Sequence, residues 1–221
     1  MHQPFCAKKL WLDLHTIRKQ NLLLIALLAT IIFITCYVFY TNKNTIKIEK
    51  KVVKEDKEKI LQLKRLQAKA ATIKPYLKNN KYNTYVCFLI DMQMPGNKKR
   101  FFVFDLRADT VLYKGLVAHG SCNTTFLENV RFSNTPDCGC SAIGKYKVGY
   151  KYKGQFGNAY KLYGLDSSNS NAFNRFIVLH SYSCVGDEET NTVVCNSLGC
   201  PMVSITFLQK LSMKIDKSKQ P

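Results

Sequence analysis

The sequence predicts a mainly β domain with a sandwich or barrel-like core, attached to an N-terminal helical segment. Two observations predict this fold class. After residue 84, short apolar or alternating runs are separated by turns rich in Gly, Asn and Ser, which is typical of β structure. Before residue 80, a long uncharged run and a Lys-rich stretch with neither Gly nor Pro favour helix instead.

The N-terminal part divides into three predicted segments. Residues 1–21 form a short basic tail, which we expect to be cytoplasmic. Leu22–Tyr40 contains no charged side chain and is long enough to cross a bilayer as a helix. No small-x-small cleavage site follows it, so we expect an uncleaved signal anchor. Residues 41–80 form a Lys-rich stalk or linker, with a helix over Val52–Ala71 that ends near Pro75.

The formal net charge of +18 is typical either of a solvated, Lys-rich surface or of a protein with an anionic partner, such as acidic lipid, cell-wall polymer or nucleic acid. Nucleic acid is disfavoured because no recognisable binding module accompanies the charge. More Lys follows the apolar segment than precedes it, which by itself places the C-terminal side in the cytoplasm. Large domains translocate despite such charge, and nine cysteines favour an oxidising compartment. We therefore expect the domain outside the cytoplasm.

The domain over residues 81–221 is predicted to consist of short strands. Tyr85–Ile90 and Phe101–Leu106 are apolar runs separated by Pro95-Gly96-Asn97, which predicts a β-hairpin. Further strands are expected over Val111–Ala118, Tyr146–Tyr150, Tyr160–Tyr163, Arg175–His180 and Met202–Ser204.

A histidine and a cysteine near the C-terminus carry the chemistry. His180 ends a buried strand, and Ser197-Leu198-Gly199-Cys200 follows it. A cysteine nucleophile needs a base to form thiolate and backbone N–H groups to hold the oxyanion. Pro201 has no N–H, so we expect those donors from Gly199 and Cys200. The alternative is a cysteine that packs as a small hydrophobic residue.

At these positions the sequence resembles the murein L,D-transpeptidases, whose YkuD-type catalytic domain has a His, a spacer of this length and Ser/Thr-His-Gly-Cys. Leu198 replaces the second histidine of that motif, and Pro201 also departs from it, as in a divergent branch where Gly-Cys-Pro is common. The resemblance covers about Tyr82–Ser204. The residues that match the motif are His180, Ser197, Gly199 and Cys200.

The resemblance implies the β-rich L,D-transpeptidase fold and cysteine-dependent acyl transfer on peptidoglycan stem peptides. Cys200, with His180 as base, attacks the donor carbonyl, a terminal D-amino acid leaves, and an amine of a second stem captures the thioester as a cross-link. If water captures it, the enzyme is an L,D-carboxypeptidase. No metal or organic cofactor is expected. With Leu22–Tyr40 as anchor, we expect the chain in the bacterial inner membrane. Because the substrate of this family lies outside the cytoplasm, the catalytic domain is expected on the extracytoplasmic, periplasmic side.

Further residues are candidates for the site. Arg175 is a candidate clamp for a substrate carboxylate, with a structural salt bridge as the alternative. His119 ends a strand and is expected either to face the same cleft or to serve as a structural hydrogen-bonding residue. By resemblance only, Ser133 and Asn134 line the pocket. Ser197 is expected to orient the base or a substrate amide, or else to cap the turn.

The cysteines outside the nucleophile predict disulfides. Cys6 and Cys36 belong to the tail and the anchor. The remaining six are even in number and sufficient for three disulfides, in pairings that the sequence leaves open. We hypothesise a Cys184–Cys195 bridge, which would hold the two catalytic segments at a fixed separation. The alternatives are six reduced cysteines or a metal site, for which the spacing of Cys138-Gly139-Cys140 is poor.

Two other classes of function remain open from the sequence. One is an envelope protein that keeps the domain to bind wall peptides but has lost turnover through the departures at Leu198 and Pro201. The other is a thiol–disulfide exchange protein, suggested by the cysteine content. The second is disfavoured because the chain has no Cys-x-x-Cys pair.

Overall fold

The computed structural model describes residues 7–218 and 220–221. The chain divides into two compact units, with the division after Leu61. In chain order the elements are α1 (Ala7–Asn79), β1 (Val86–Ile90), β2 (Phe101–Asp105), β3 (Thr110–Gly115), β4 (Tyr146–Gly154), β5 (Gly157–Gly164), a 3-10 turn (Ser167–Asn169), β6 (Val178–Ser181), β7 (Met202–Val203) and α2 (Ile205–Ile215).

The N-terminal unit consists, over its described residues, of the first part of α1. Large apolar side chains in it, including those of Phe33 and Phe39, are exposed. Along the part of the chain that the structure describes, no helix combines the length and apolar character needed to cross a membrane. The structure therefore does not support the anchor predicted for Leu22–Tyr40. Residues 1–6 of the predicted basic tail lie outside the described residues.

Helix α1 is longer than the sequence predicts at both ends. It begins at Ala7 and continues through Pro75 to Asn79, whereas the prediction was Val52–Ala71. A proline inside a helix removes one backbone hydrogen bond and crowds the preceding turn. Beyond the proline, Leu77 packs against a buried apolar cluster, and this tertiary contact favours one more turn of helix. The predicted helix end near Pro75 is wrong for this reason.

Strand β2 is the centre of a three-stranded antiparallel sheet in the order β1-β2-β3, which confirms the predicted hairpin. Both faces of β2 are covered. Phe101 and Val103 pack in the main core, while Phe102 and Phe104 pack in a second cluster with side chains of α1. A strand with two buried faces has a continuous apolar run rather than an alternating one, as this sequence does.

The second compact unit includes the C-terminal part of α1. Leu66 and Ala70 are buried in the cluster that covers one face of β2. The unit begins at Gln62, so its core extends N-terminally beyond the boundary at residue 81 that the sequence predicts. Successive turns of this helix segment thus present one face that packs on the sheet.

A second sheet has four strands in the order β4-β5-β6-β7. The first three strands are antiparallel, and β7 pairs with β6 in parallel. The register places Tyr152, Ala159, His180 and Met202 in one row across the sheet. Side chains on the other face share the main core with β2. Two sheets that share a core confirm the prediction of a β-rich domain.

Two local features near the site differ from the prediction. Strand β6 covers Val178–Ser181 rather than Arg175–His180. Phe176 has a φ of +55°, a left-handed conformation that is rare for a bulky residue, so the chain turns just before the strand. Helix α2 was not predicted. It begins after Ser204, whose hydroxyl caps it by accepting from the Phe207 N–H, where the sequence suggested the end of a strand.

Substitution of Leu66 by alanine tests whether the C-terminal part of α1 packs in the second compact unit. Leu66 is 4% exposed, so the Leu66→Ala variant is expected to lose about 2–4 kcal/mol of unfolding free energy in urea denaturation of the full chain. Leu61→Ala is the control, because Leu61 is exposed and its loss should change stability by less than about 0.5 kcal/mol. If both substitutions change the unfolding free energy by the same small amount, the packing of Leu66 against β2 would be contradicted.

Candidate active site

The turn from Ser197 to Cys200 is closed by the Ser197 side chain. The hydroxyl donates to the Cys200 carbonyl at 2.7 Å and accepts from the Gly199 N–H at 3.0 Å. Gly199 has a φ of +111°, and a Cβ at this position would lie 2.7 Å from the Cys140 carbonyl oxygen. Only glycine fits such a turn. Of the roles predicted for Ser197, the structure shows the cap of the turn.

The oxyanion donors predicted from the sequence are only partly available. The Gly199 N–H already donates to the Ser197 hydroxyl, so the prediction that it serves the oxyanion is not met in this conformation. The Cys200 N–H, in contrast, donates to no acceptor among the described residues. Leu198, which stands where the related motif has histidine, directs its side chain outward and is 74% exposed.

Cys200 is a free thiol at the edge of β6. Its Sγ accepts a hydrogen bond from the Val178 N–H at 3.4 Å and donates to the Phe176 carbonyl at 3.7 Å. Burial raises the pKa of the Cys200 thiol, and the Val178 N–H, Arg175 and Lys161 oppose that rise only in part. In the free protein desolvation therefore dominates the pKa of this thiol.

His180 is 3% exposed and holds a defined tautomer. Its Nδ1 lies 3.1 Å from the Ser181 carbonyl oxygen, which can only accept, so Nδ1 carries the proton. The other nitrogen, Nε2, is then left with the lone pair that a general base needs. Burial also lowers the pKa of His180, which keeps the ring neutral at physiological pH. Sequence reasoning missed Ser181, because a backbone carbonyl has no residue-type signature.

An aromatic residue covers the imidazole. Phe156, in the turn between β4 and β5, stacks on the His180 ring with centroids 4.9 Å apart and an interplanar angle of 19°. Tyr182 meets Phe156 edge-on at 5.4 Å. Tyr152 lies in the same row of the sheet as His180, with the small Ala159 between them. Aromatic rings thus line the approach to the base, which removes water from it.

His180 and Cys200 come from adjacent elements, as the sequence motif predicts. In the parallel pairing of β6 and β7, His180 lies opposite Met202, two residues after the cysteine. Within the described chain, however, no hydrogen bond joins the imidazole to the thiol, since each has the partners given above. Catalytic hydrogen bonds are often long in free enzymes and shorten when substrate binds. The arrangement therefore places the nucleophile and the base on neighbouring segments of the same sheet.

Arg175 is not the free carboxylate clamp that the sequence suggested. Its guanidinium donates to the Ser133 carbonyl at 2.8 Å, to the Cys138 sulfur at 3.3 Å and to the Cys140 carbonyl. These bonds fasten the loop before β4 against the nucleophile turn. The carboxylate-binding prediction is corrected because the donors are directed into the protein, although the positive charge still favours ionisation of Cys200.

His119 is buried and bonded to protein groups. It is 0% exposed, its Nδ1 accepts from Arg100 at 2.8 Å, and its Nε2 donates to the Leu127 carbonyl at 3.0 Å. Both ring nitrogens therefore have protein partners, as the structural alternative expects, and substrate binding by His119 stays a prediction. Desolvation and the Arg100 charge lower the pKa of His119 and hold it neutral.

Ser133 and Asn134 lie in the loop before β4 and support it. The Asn134 side chain donates to the Ser167 carbonyl and the Ser170 hydroxyl at 3.0 Å each, and accepts from the Asn171 N–H. The Ser133 hydroxyl donates a hydrogen bond to the Thr135 hydroxyl. The amide of Asn134 is used in joining two loops, and pocket lining by these two residues stays a prediction.

Two disulfides hold the surroundings of the site. Cys184–Cys195 closes the loop between the two catalytic segments, which confirms the pairing hypothesised from the sequence. Cys122–Cys140 is the second. Cys87 and Cys138 are free, so the possibility of three disulfides is not realised among the described residues. Cys87 is partly buried against the cluster that covers one face of β2, where desolvation raises its pKa to about 12.

Comparison with known proteins gives one family. A model of the L,D-transpeptidase catalytic domain, YkuD_2, matches residues 57–220. This range contains the nucleophile turn, the base and the helix segment that packs on β2. No curated protein and no solved structure shows a significant match to the chain.

The protonation state of Cys200 is measurable by alkylation. Only the thiolate reacts with iodoacetamide, and burial raises the thiol pKa above its ordinary 9.0, so the alkylation rate of Cys200 is expected to reach its midpoint above pH 9. Peptide mapping by mass spectrometry separates Cys200 from Cys87, which serves as a comparator and should react more slowly still. A plateau below pH 8 would contradict a neutral resting thiol.

Removal of the Cys184–Cys195 bridge tests its role as a tether. The bridge spans a sequence separation of 11 residues. By loop-closure entropy, the double variant Cys184→Ser/Cys195→Ser is expected to lose roughly 2–3 kcal/mol of unfolding free energy in urea denaturation. Cys36→Ser, at an exposed free cysteine, is the control and should leave stability unchanged. A loss below about 0.5 kcal/mol in the double variant would argue against the tether.

Proposed function

This chain belongs to the L,D-transpeptidase catalytic domain family, and we propose that it joins peptidoglycan stem peptides through a thioester formed on Cys200. The observation that carries the proposal is a free cysteine on a tight turn beside the strand of a buried histidine. The tautomer of that histidine leaves one nitrogen ready to accept a proton. A nucleophile, a base and an orienting group are the parts that thiol acyl transfer requires.

The proposed reaction begins from a neutral thiol and a neutral imidazole. When the donor carbonyl binds, Nε2 of His180 accepts the Cys200 proton as the sulfur attacks the carbonyl carbon. The Ser181 carbonyl stabilises the imidazolium that forms, through its bond to Nδ1. The imidazolium then gives its proton to the departing amine of the terminal D-amino acid, and the thioester remains.

The second half of the reaction reverses these roles. An amine of an acceptor stem attacks the thioester carbonyl, His180 takes the amine proton, and the Cys200 sulfur leaves and recovers a proton. The Cys200 N–H is the donor that we assign to the oxyanion in both halves, because it is unused in the free protein. If water replaces the amine, the same steps give an L,D-carboxypeptidase.

The structure of the turn favours an enzyme over an inactive wall-binding protein. The replacement of histidine by Leu198 affects a side chain that is directed to solvent, not one that holds the thiol or the imidazole. Pro201 follows the nucleophile and leaves the Cys200 N–H intact. Neither departure removes a part that the proposed reaction uses.

We place the reaction outside the cytoplasm, at the bacterial inner membrane. Two disulfides in the catalytic unit support an oxidising compartment, and peptidoglycan is extracytoplasmic. Anchoring through Leu22–Tyr40 stays a prediction from the sequence. Fractionation of cells into membrane and soluble parts tests it, since an unanchored chain would appear in the soluble fraction.

Substitution of the nucleophile tests the proposed function. The full chain incubated with a carbapenem, which mimics the donor, is expected to gain the mass of one adduct, and Cys200→Ala is expected to gain none. His180→Gln should slow adduct formation by about 10²–10⁴-fold through loss of the base. Cys87→Ala removes another free cysteine, outside the site, and should react like the native chain.

Incubation with tetrapeptide stems then identifies the reaction. Cross-linked dimers indicate transpeptidation, and trimmed monomers indicate the L,D-carboxypeptidase. An intact adduct on Cys200→Ala, or stems left unchanged by the native chain, would overturn the proposal.

A further inference from the structure

A substrate with a terminal carboxylate calls for a cation near the proposed site. The guanidinium of Arg175 is not free for this role. A stem peptide whose terminal D-amino acid is removed carries a carboxylate one residue beyond the carbonyl that is attacked. All the hydrogen bonds of Arg175 that the structure shows go to protein groups. Lys145, just before β4, pairs with Asp166, and Lys151, in β4, pairs with Asp216.

Lys161 is a cation that the geometry leaves available beside the nucleophile. In β5 it lies opposite Val178 of β6, and the Val178 N–H donates to the Cys200 sulfur. Residues directly opposite in an antiparallel pair project from the same face of a sheet. Two residues further along β6, His180 therefore projects from that face as well. Among the described residues, no carboxylate forms a salt bridge with Lys161.

Three aromatic rings hold the Lys161 ammonium in place. It lies 4.7 Å from the ring centroid of Tyr152, 5.5 Å from that of Phe176 and 5.7 Å from that of Phe173. Cation–π contacts of this kind fix the position of an ammonium group without using up its N–H donors. Phe176 and Phe173 are exposed, so the group lies at the surface where a ligand can reach it.

We propose that Lys161, held among Tyr152, Phe173 and Phe176 on the face that presents His180, binds a carboxylate of the donor stem peptide. The proposal rests on the proposed function and names the residue that selects its substrate. A half-buried ammonium without an anionic partner forms a charge-assisted hydrogen bond to a carboxylate readily. The position of Lys161 across from Val178 places that carboxylate beside the nucleophile. Lys161 also favours the ionised form of Cys200, which is consistent with this proximity.

The test compares two donors on three variants of the full chain. One donor is a tetrapeptide stem with a free terminal carboxylate, and the other is the same stem with that carboxylate amidated. With the free acid, Lys161→Met is expected to raise KM roughly tenfold to a hundredfold with little change in kcat, because a bond made equally in ground and transition states is lost. Lys161→Arg restores the charge and should recover most of the affinity.

The control is Lys153→Met, at an exposed lysine on the same hairpin, which should behave as the native chain with both donors. With the amidated donor, the native chain and Lys161→Met should have the same KM. This KM should be as high as the KM of Lys161→Met for the free acid. The thermal unfolding midpoint of Lys161→Met should fall only slightly below that of the native chain, since methionine retains the apolar part of the side chain and only partly exposed cation–π contacts are lost.

Two results would overturn the proposal. An unchanged KM in Lys161→Met with the free acid would show that another group binds the carboxylate. An equal rise in KM with both donors would show that the lysine acts on the fold or on the thiol. If the native chain accepts neither donor, the proposed function itself is overturned. This result differs from the first two because it yields no KM to compare.

Discussion

The parallel pairing of β6 with β7 is the constraint on which the active site depends. Because His180 lies opposite Met202, the turn that precedes β7 brings Cys200 against the backbone of Val178. The Ser197 hydroxyl closes that turn from within. The Cys184–Cys195 bridge shortens the loop between the two segments. A short piece of sheet thus fixes a nucleophile and a base that are far apart in sequence.

Burial decides the electrostatics of the site. It raises the pKa of the thiol and lowers that of the imidazole, so the resting pair is neutral rather than an ion pair. The positive charges of Arg175 and Lys161 oppose this effect but do not reverse it. Positive charge on His180 therefore develops only when a substrate is attacked. The hydrogen bond from Nδ1 to the Ser181 carbonyl then stabilises the imidazolium. A neutral thiol is also less prone to adventitious oxidation than a thiolate.

Local patterns in the sequence predicted the strands, the hairpin, the His–Cys motif and the Cys184–Cys195 bridge. Each of these depends on residue type at short range. Features set by tertiary contacts were not predictable: the turn of α1 beyond Pro75, the start of β6 after Phe176, and helix α2. Arg175 was misread because its partners are backbone carbonyls of a distant loop. Ser181 and Lys161 were missed because carbonyl contacts and cross-strand neighbours have no signature in sequence.

The tautomer of His180 tests the account most directly, since the proton on Nδ1 is what leaves Nε2 free to act as the base. Long-range ¹H–¹⁵N NMR spectra of the native chain, assigned with a His180→Gln variant, separate the two ring nitrogens. At pH 7 we expect the His180 ring to be neutral and protonated at Nδ1. A proton on Nε2, or a stable imidazolium at that pH, would contradict it.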